Sequence, residues 1–248
     1  MSSPCDIWTA AKNGDVARLS SVITAAPINS KDKNGWTPLH KAAENGHSDA
    51  VHALVDAKAD VDVQDQWGYT PLHRAVENGH SGVVQLLIGA DADFHTVEDR
   101  SLLLLAAVRG DVASLQTLIG GKANVNASDD LILATPLHLA AMSGHTAAVQ
   151  VLINAKATVT IKDENGRTPF HWAAQNGHLD TMRVLLSAKA DPKAKDWNDF
   201  TPMQMALMNG HNGAVQLLID AGVAFDGVAR YEVLLLMICA YRGDDSTL

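Results

Sequence analysis

The sequence predicts an all-α fold with short β-hairpin turns, built as a stack of repeated helix pairs, and three observations carry that reading. Thr-Pro recurs at Thr37-Pro38, Thr70-Pro71, Thr135-Pro136, Thr168-Pro169 and Thr201-Pro202, with separations of 33, 65, 33 and 33. A fixed period of this size marks a repeat architecture. Hydrophobic residues make up 47% of the chain but aromatic ones only 5%, a usage that favours closely spaced helices over a sandwich of bulky alternating strands. Within each period the apolar residues fall three and four apart, as in Val51, Leu54 and Val55, which is the stripe of a helix.

The elements of one period follow in order. Thr37 suits an N-cap, since its hydroxyl can accept from an orphan N–H of the first turn, and Pro38 suits the first helical position, where no N–H is needed. About two turns later Gly46 permits the left-handed backbone that ends a helix. Ala42 and Ala43 are small enough to let neighbouring first helices approach closely. A second helix carries Val51, Leu54 and Val55. Asp65-Gln66-Trp67-Gly68 then reads as a polar turn with a glycine placed for a β-hairpin.

The separation of 65 hides a worn copy, Ser101-Leu102-Leu103-Leu104-Leu105-Ala106-Ala107-Val108-Arg109-Gly110, which keeps the serine, the paired alanines and the glycine. Two further copies sit at the ends, Trp8 to Asp15 and Ile238 to Asp244. Thr37-Pro38-Leu39-His40-Lys41-Ala42-Ala43, Gly46-His47 and Val51 to Asp60, with their variants at 70, 135 and 168, resemble the ankyrin repeat family. The resemblance covers almost the whole chain. It implies a single solenoid of about seven repeats, at 5–31, 32–64, 65–96, 97–129, 130–162, 163–195 and 196–228, with a partial eighth at 229–248. No one repeat buries its apolar faces alone, so stability is expected from stacking. The family usually has glycine where the second helix ends; here Lys58, Asp91, Lys122, Lys156 and Lys189 stand there, with glycine only at Gly222. Those five sites are expected to be tolerated left-handed strain or local 3₁₀ endings.

Composition excludes several functions. A net charge of -9 and a pI near 5.6 repel a polyanion, so no nucleic acid is expected. Cys5 and Cys239 lie at opposite ends of the chain and form no disulfide framework, which fits a reducing compartment. The start, Met-Ser-Ser-Pro-Cys-Asp, has no basic and apolar leader, and the longest apolar run, Val233 to Ala240, reads as a buried helix too short for direct membrane insertion. The expected chain is a cytoplasmic monomer, or a nuclear protein, or one working in a host cytosol if it is a secreted effector.

Chemistry is expected to be absent. Nine of the eleven histidines form two ladders, His40, His73, His138 and His171, and His47, His80, His145, His178 and His211, each stepping by one repeat. The resemblance implies that they tie turns together. Zinc needs four ligands within about 2.3 Å of one point, which ladder spacing forbids, so no metal and no cofactor is expected. His52 and His95 read as solvated surface. Neither a nucleophile elbow nor a phosphate-cradling loop occurs, and no catalytic residue is assigned.

The resemblance implies partner contacts at hairpin tips and on the first-helix face, which it makes concave. Tip candidates are Lys33, Asn34 and Trp36; Gln66, Trp67 and Tyr69; Glu98 and Arg100; Leu131, Ile132 and Leu133; Arg167; and Trp197 and Phe200. On the helix face they are Lys41, Arg74, Arg109 and Trp172, with Met142, Met205 and Met208 adding apolar surface. Aromatic and Arg side chains dominate binding hot spots, although each ring can equally pack on the next hairpin. The partner is expected to be another protein or peptide. Three roles fit: an adaptor or scaffold; a targeting module of a larger enzyme, channel or effector; and an inhibitory subunit covering an enzyme.

Overall fold

The computed structural model describes residues 7–23, 27–94 and 100–224, with the side chains of Arg100 and Ser101 outside that set. Cys5, His95, Glu98, Cys239, the apolar run from Val233 and the partial eighth repeat lie outside the described residues. Among those described, the chain forms fourteen helices and no strand, in seven consecutive pairs. The first helices are α1 (Ile7–Asn13), α3 (Pro38–Glu44), α5 (Pro71–Asn78), α7 (Arg100–Arg109), α9 (Pro136–Met142), α11 (Pro169–Gln175) and α13 (Pro202–Met208). The second helices are α2 (Val16–Val22), α4 (Ser48–Asp56), α6 (Ser81–Gly89), α8 (Val112–Gly120), α10 (Thr146–Asn154), α12 (Leu179–Ser187) and α14 (Asn212–Asp220).

Two compact units divide the chain, Met1–Ala106 with Asp111–Asn124, and Ala107–Gly110 with Val125–Leu248. Within the first, α1, α3 and α5 pack side by side in one layer, and α2, α4, α6 and α8 in another. Within the second, α9, α11 and α13 form one layer and α10, α12 and α14 the other. The paired alanines make the close approach possible: Ala42, Ala43, Ala140, Ala141, Ala173 and Ala174 are all fully buried. Leu54, Leu87, Leu118, Leu152, Leu185 and Leu218 fill the core once per period from the second helices.

The helix starts are built as the sequence predicts. Thr37 is extended (φ -90°, ψ 167°), Pro38 follows it, and the Thr37 hydroxyl accepts from the His40 N–H at 3.4 Å. His40 Nδ1 accepts from the Thr37 N–H at 3.2 Å, and its Nε2 donates to the Tyr69 carbonyl one repeat on, at 3.0 Å. His138 and His171 reach the Arg167 and Phe200 carbonyls in the same way. In the seventh repeat Gln204 stands in, its Oε1 accepting from the Thr201 N–H at 2.9 Å.

The second ladder points backwards. Nε2 of His47, His80, His145 and His178 bonds the Lys12, Glu44, Val108 and Met142 carbonyls of the preceding repeats at 2.9–3.0 Å. The ring lies flat against the glycine ending the earlier helix. A Cβ on Gly46, whose φ is +73°, would stand 2.5 Å from His80 Nδ1, so that glycine answers two demands at once.

Between repeats the chain forms short fingers. Asp32 N–H donates to the Trp36 carbonyl at 2.8 Å, Asp65 to Tyr69, Asp163 to Arg167 and Asp196 to Phe200. One rung is too little to make a strand, hence hairpins without β-sheet. At the ends of the second helices, Lys58, Asp91, Lys122, Lys156 and Lys189 adopt φ of 60–69°, which selects left-handed strain over a 3₁₀ ending. Leu133 (φ +54°) and Asp199 (φ +62°) occupy the left-handed finger position that elsewhere belongs to Gly35, Gly68 and Gly166.

Candidate functional site

An aspartate that opens four of the described fingers organises the surface beside it. Oδ1 of Asp32, Asp65, Asp163 and Asp196 accepts two backbone N–H groups from the residues two and four further on, at 2.8–3.0 Å. Oδ2 turns toward the first helix, where the residue nine positions later meets it. Arg74 Nη2 donates to Asp65 Oδ2 at 2.6 Å, Trp172 Nε1 to Asp163 Oδ2 at 2.9 Å, and Lys41 Nζ lies 3.7 Å from Asp32 Oδ2. Position nine in the seventh repeat is Met205, which has no donor. Arg167 from the preceding finger supplies the cation instead, its Nε 3.6 Å from Asp196 Oδ2. Sequence reasoning passed over these carboxylates, although Asp stands five residues before the Thr of Thr-Pro in all five Thr-Pro periods.

In repeats two and three the expected residues converge. Arg74 carries the cluster: its guanidinium lies 4.6 Å from the Trp36 ring centre, 4.9 Å from Tyr69 and 5.6 Å from Trp67, with Glu77 accepting from Nη1 at 2.8 Å. Lys41 Nζ sits 3.7 Å over the same Trp36 ring. A cation between aromatic faces is held by their quadrupoles. Burial raises the Asp65 carboxyl, but the Arg74 hydrogen bond and the Trp67 and Tyr69 N–H groups outweigh it and hold the acid below its ordinary range. Trp36 and Arg74 are only 7% and 9% exposed, so these two tip and helix candidates serve packing in the free chain. Trp67 at 56% and Tyr69 at 42% face solvent, as do Lys33 and Gln66, while Asn34 is half-buried.

Repeats five to seven present a different surface. Leu131, Ile132 and Leu133 do not fold down: they are 85%, 37% and 48% exposed. Trp197 is 66% exposed, with Lys162 Nζ 4.4 Å from its ring centre and its Nε1 donating to the Glu164 carbonyl at 3.0 Å. Glu164 N–H bonds the Ile132 carbonyl and Trp197 N–H the Asn165 carbonyl, both at 2.9 Å, so the three fingers are laced in order. Trp172 is half-buried under the Arg167 guanidinium at 5.3 Å. Phe200 is half-buried, Met205 is buried and Met208 is 54% exposed. Arg109 is exposed at the end of α7, and Arg100 opens that helix with its side chain outside the described residues.

Burial lowers the imidazoles of His40, His138 and His171, His40 to about 4. With Nδ1 accepting and Nε2 donating, each is a neutral ring with both nitrogens committed to structure. Among the described residues no group of three or more His, Cys, Asp or Glu could hold a metal ion. His52 is exposed and lies 2.9 Å from Asp56. No helix of the described residues is long and apolar enough to cross a membrane.

A family model of ankyrin repeats matches residues 7–98 and 103–196. The chain belongs to the ankyrin repeat family. Human ASB11's ankyrin repeat domain shares the fold, with a TM-score of 0.77 over 86% of this chain and 97% of that one at 23% identity. Ankyrin repeat domain-containing protein 49 from Bos taurus is 46% identical over 57 residues, 22% of this chain and 24% of that protein. The human NAD-capped RNA hydrolase NUDT12 is 38% identical over 52 residues, 20% of this chain and 11% of the hydrolase. The chain thus aligns with about a quarter or less of the length of these curated relatives. Ankyrin repeats are generally protein–protein interaction modules, and the fold is non-catalytic.

Proposed function

We propose that this chain is a monomeric adaptor or scaffold that binds a partner protein through its finger tips and first-helix face, in the cytoplasm. One observation carries the reading: Trp67, Tyr69 and Trp197 stand 42–66% exposed at finger tips, in a chain with only five Trp and three Tyr. Large rings held in water cost solvation that a partner's surface recovers, and rigid aromatics bury area with little loss of freedom. Affinity capture from cells of the source organism, with Trp67→Ala and Trp197→Ala compared against the parent chain, tests it. The captured partner is expected to be lost or weakened at least tenfold in one of the two; equal recovery with both removes the tip-centred reading.

A second reading is a targeting or regulatory module of a larger protein. It is favoured by the human hydrolase, where the 52 aligned residues are 11% of a chain longer than this one. Reading the transcript beyond the codon for Leu248 decides it: an immediate stop counts against it.

A further inference from the structure

The first helices of the two units differ in charge in a way that names the partner's chemistry. Helices α3 and α5 carry Lys41, Glu44, Arg74 and Glu77, whereas α9, α11 and α13 contain no Asp, Glu, Lys or Arg at all. The positions that hold those charges in α3 and α5 hold Leu139 and Met142 in α9, Trp172 and Gln175 in α11, and Met205 and Met208 in α13. Of these only Met205 is buried. Because α9 packs on α11 and α11 on α13, the rest form one largely apolar stripe, touched by one charge, the Arg167 guanidinium, which lies 5.3 Å from the Trp172 ring centre and donates to Gln175 Oε1 at 3.2 Å.

The fingers beside that stripe are acidic. Segments 129–134, 162–167 and 195–200 contain six carboxylates against three cations, with Asp163 and Asp196 buried and Asp129, Asp130, Glu164 and Asp199 toward solvent, while segments 31–36 and 64–69 hold two of each. Two of the cations pair with acids of the same set, Arg167 with Asp196 and Lys195 with Asp199, and Lys162 donates to the Lys195 carbonyl and lies over the Trp197 ring, so the three fingers keep a net negative charge. Leu131 and Leu133 project from the same row of fingers, Leu133 held in a left-handed conformation. Exposed apolar side chains on a strained backbone are unfavourable in water on two counts, which points to a surface made to be covered.

We propose that repeats five to seven receive a partner segment that is apolar toward α9, α11 and α13 and carries Lys or Arg toward the fingers. This rests on the partner-binding reading and narrows it to one chemistry. An apolar stripe alone accepts any amphipathic segment; the acidic rim rejects one with carboxylates on its polar side, since like charges brought together repel.

Fluorescence anisotropy of the full chain with labelled model peptides of about 18 residues, long enough for five helical turns, tests the assignment. One peptide has leucine on one face and lysine on the other, a second has glutamate for lysine, and a third has serine for leucine. The leucine–lysine peptide is expected to bind one-to-one and at least tenfold tighter than either of the others. Trp172→Ala and Leu131→Ser should each weaken it at least fivefold, while Gln150→Ala, exposed on the second helix α10 and away from fingers and stripe, leaves it unchanged; Leu131 is so exposed that its variant tests the surface without disturbing the fold. Equal binding of the lysine and glutamate peptides overturns the assignment, as does binding insensitive to Leu131→Ser. So does a free chain that sediments as a dimer dispersed by Leu131→Ser, for the occupant is then a second copy. If the leucine–lysine peptide fails to bind while Leu131→Ser abolishes capture of the natural partner, this assignment falls and the partner-binding reading stands.

Discussion

Replacing His40 with glutamine should make the stability of this protein less sensitive to acid, and the size of the change follows from the geometry. His40 is fully buried, accepts at Nδ1 from the Thr37 N–H and donates at Nε2 to the Tyr69 carbonyl. A second proton would have to sit on Nδ1, facing the Thr37 N–H donor in a fully buried site. Burial is the main cause that lowers the group to about 4 from 6.5, opposed in part by the Tyr69 bond. The folded state therefore rejects the proton that the unfolded chain accepts, so the contribution is complete above about 6.5 and drains away as pH falls toward 4. From about pH 7.5 to about pH 5 the loss is about 2 kcal/mol, at roughly 1.4 kcal/mol per pH unit below the unfolded value. Gln204 shows that glutamine can hold this cap without titrating. His40→Gln should cost about 1 kcal/mol at neutral pH for the lost bond to Tyr69. By about pH 5 the order should invert, with the variant the more stable by about 1 kcal/mol. Urea unfolding followed by far-UV circular dichroism at both pH values measures this. A parent-minus-variant difference that stays constant across the range refutes a buried neutral imidazole at this position.

Further outcomes follow from the same contacts. Arg74→Leu leaves the buried Asp65 carboxylate without its cation and should cost about 3 to 5 kcal/mol, whereas Lys41→Leu, at a longer 3.7 Å and only half-buried pair, should cost about 1 kcal/mol; chemical denaturation of both variants ranks them. Gly144→Ala places a Cβ 2.6 Å from His178 Nδ1 at a φ of +73°, and left-handed strain plus a broken His178 bond should cost about 2 to 3 kcal/mol in the same measurement. Leu133→Gly should raise the thermal midpoint, with a gain of about 0.5 to 1 kcal/mol once glycine's own entropy is subtracted; a lower midpoint shows that the leucine side chain is held by packing.

Much of the molecule was legible in one dimension. Thr-Pro fixes a helix start because a hydroxyl and a ring act on their own turn, and glycine ends a helix through its own backbone; neither depends on what lies far away. The two histidine ladders were visible as spacing, and their neighbours one repeat along proved to be the carbonyls they bond. The finger aspartates were equally periodic, yet without a contact to explain them they passed for ordinary turn residues. Exposure was beyond the sequence. Trp36 and Tyr69 occupy the same place in successive periods, but one is 7% and the other 42% exposed. Arg74, on α5 of the following repeat and 38 residues along the chain, lies over the Trp36 ring. Local chemistry sets each helix and each turn, whereas what remains open to a partner is decided by the side chain that the next repeat lays across it, and that contact exists only once the repeats are stacked.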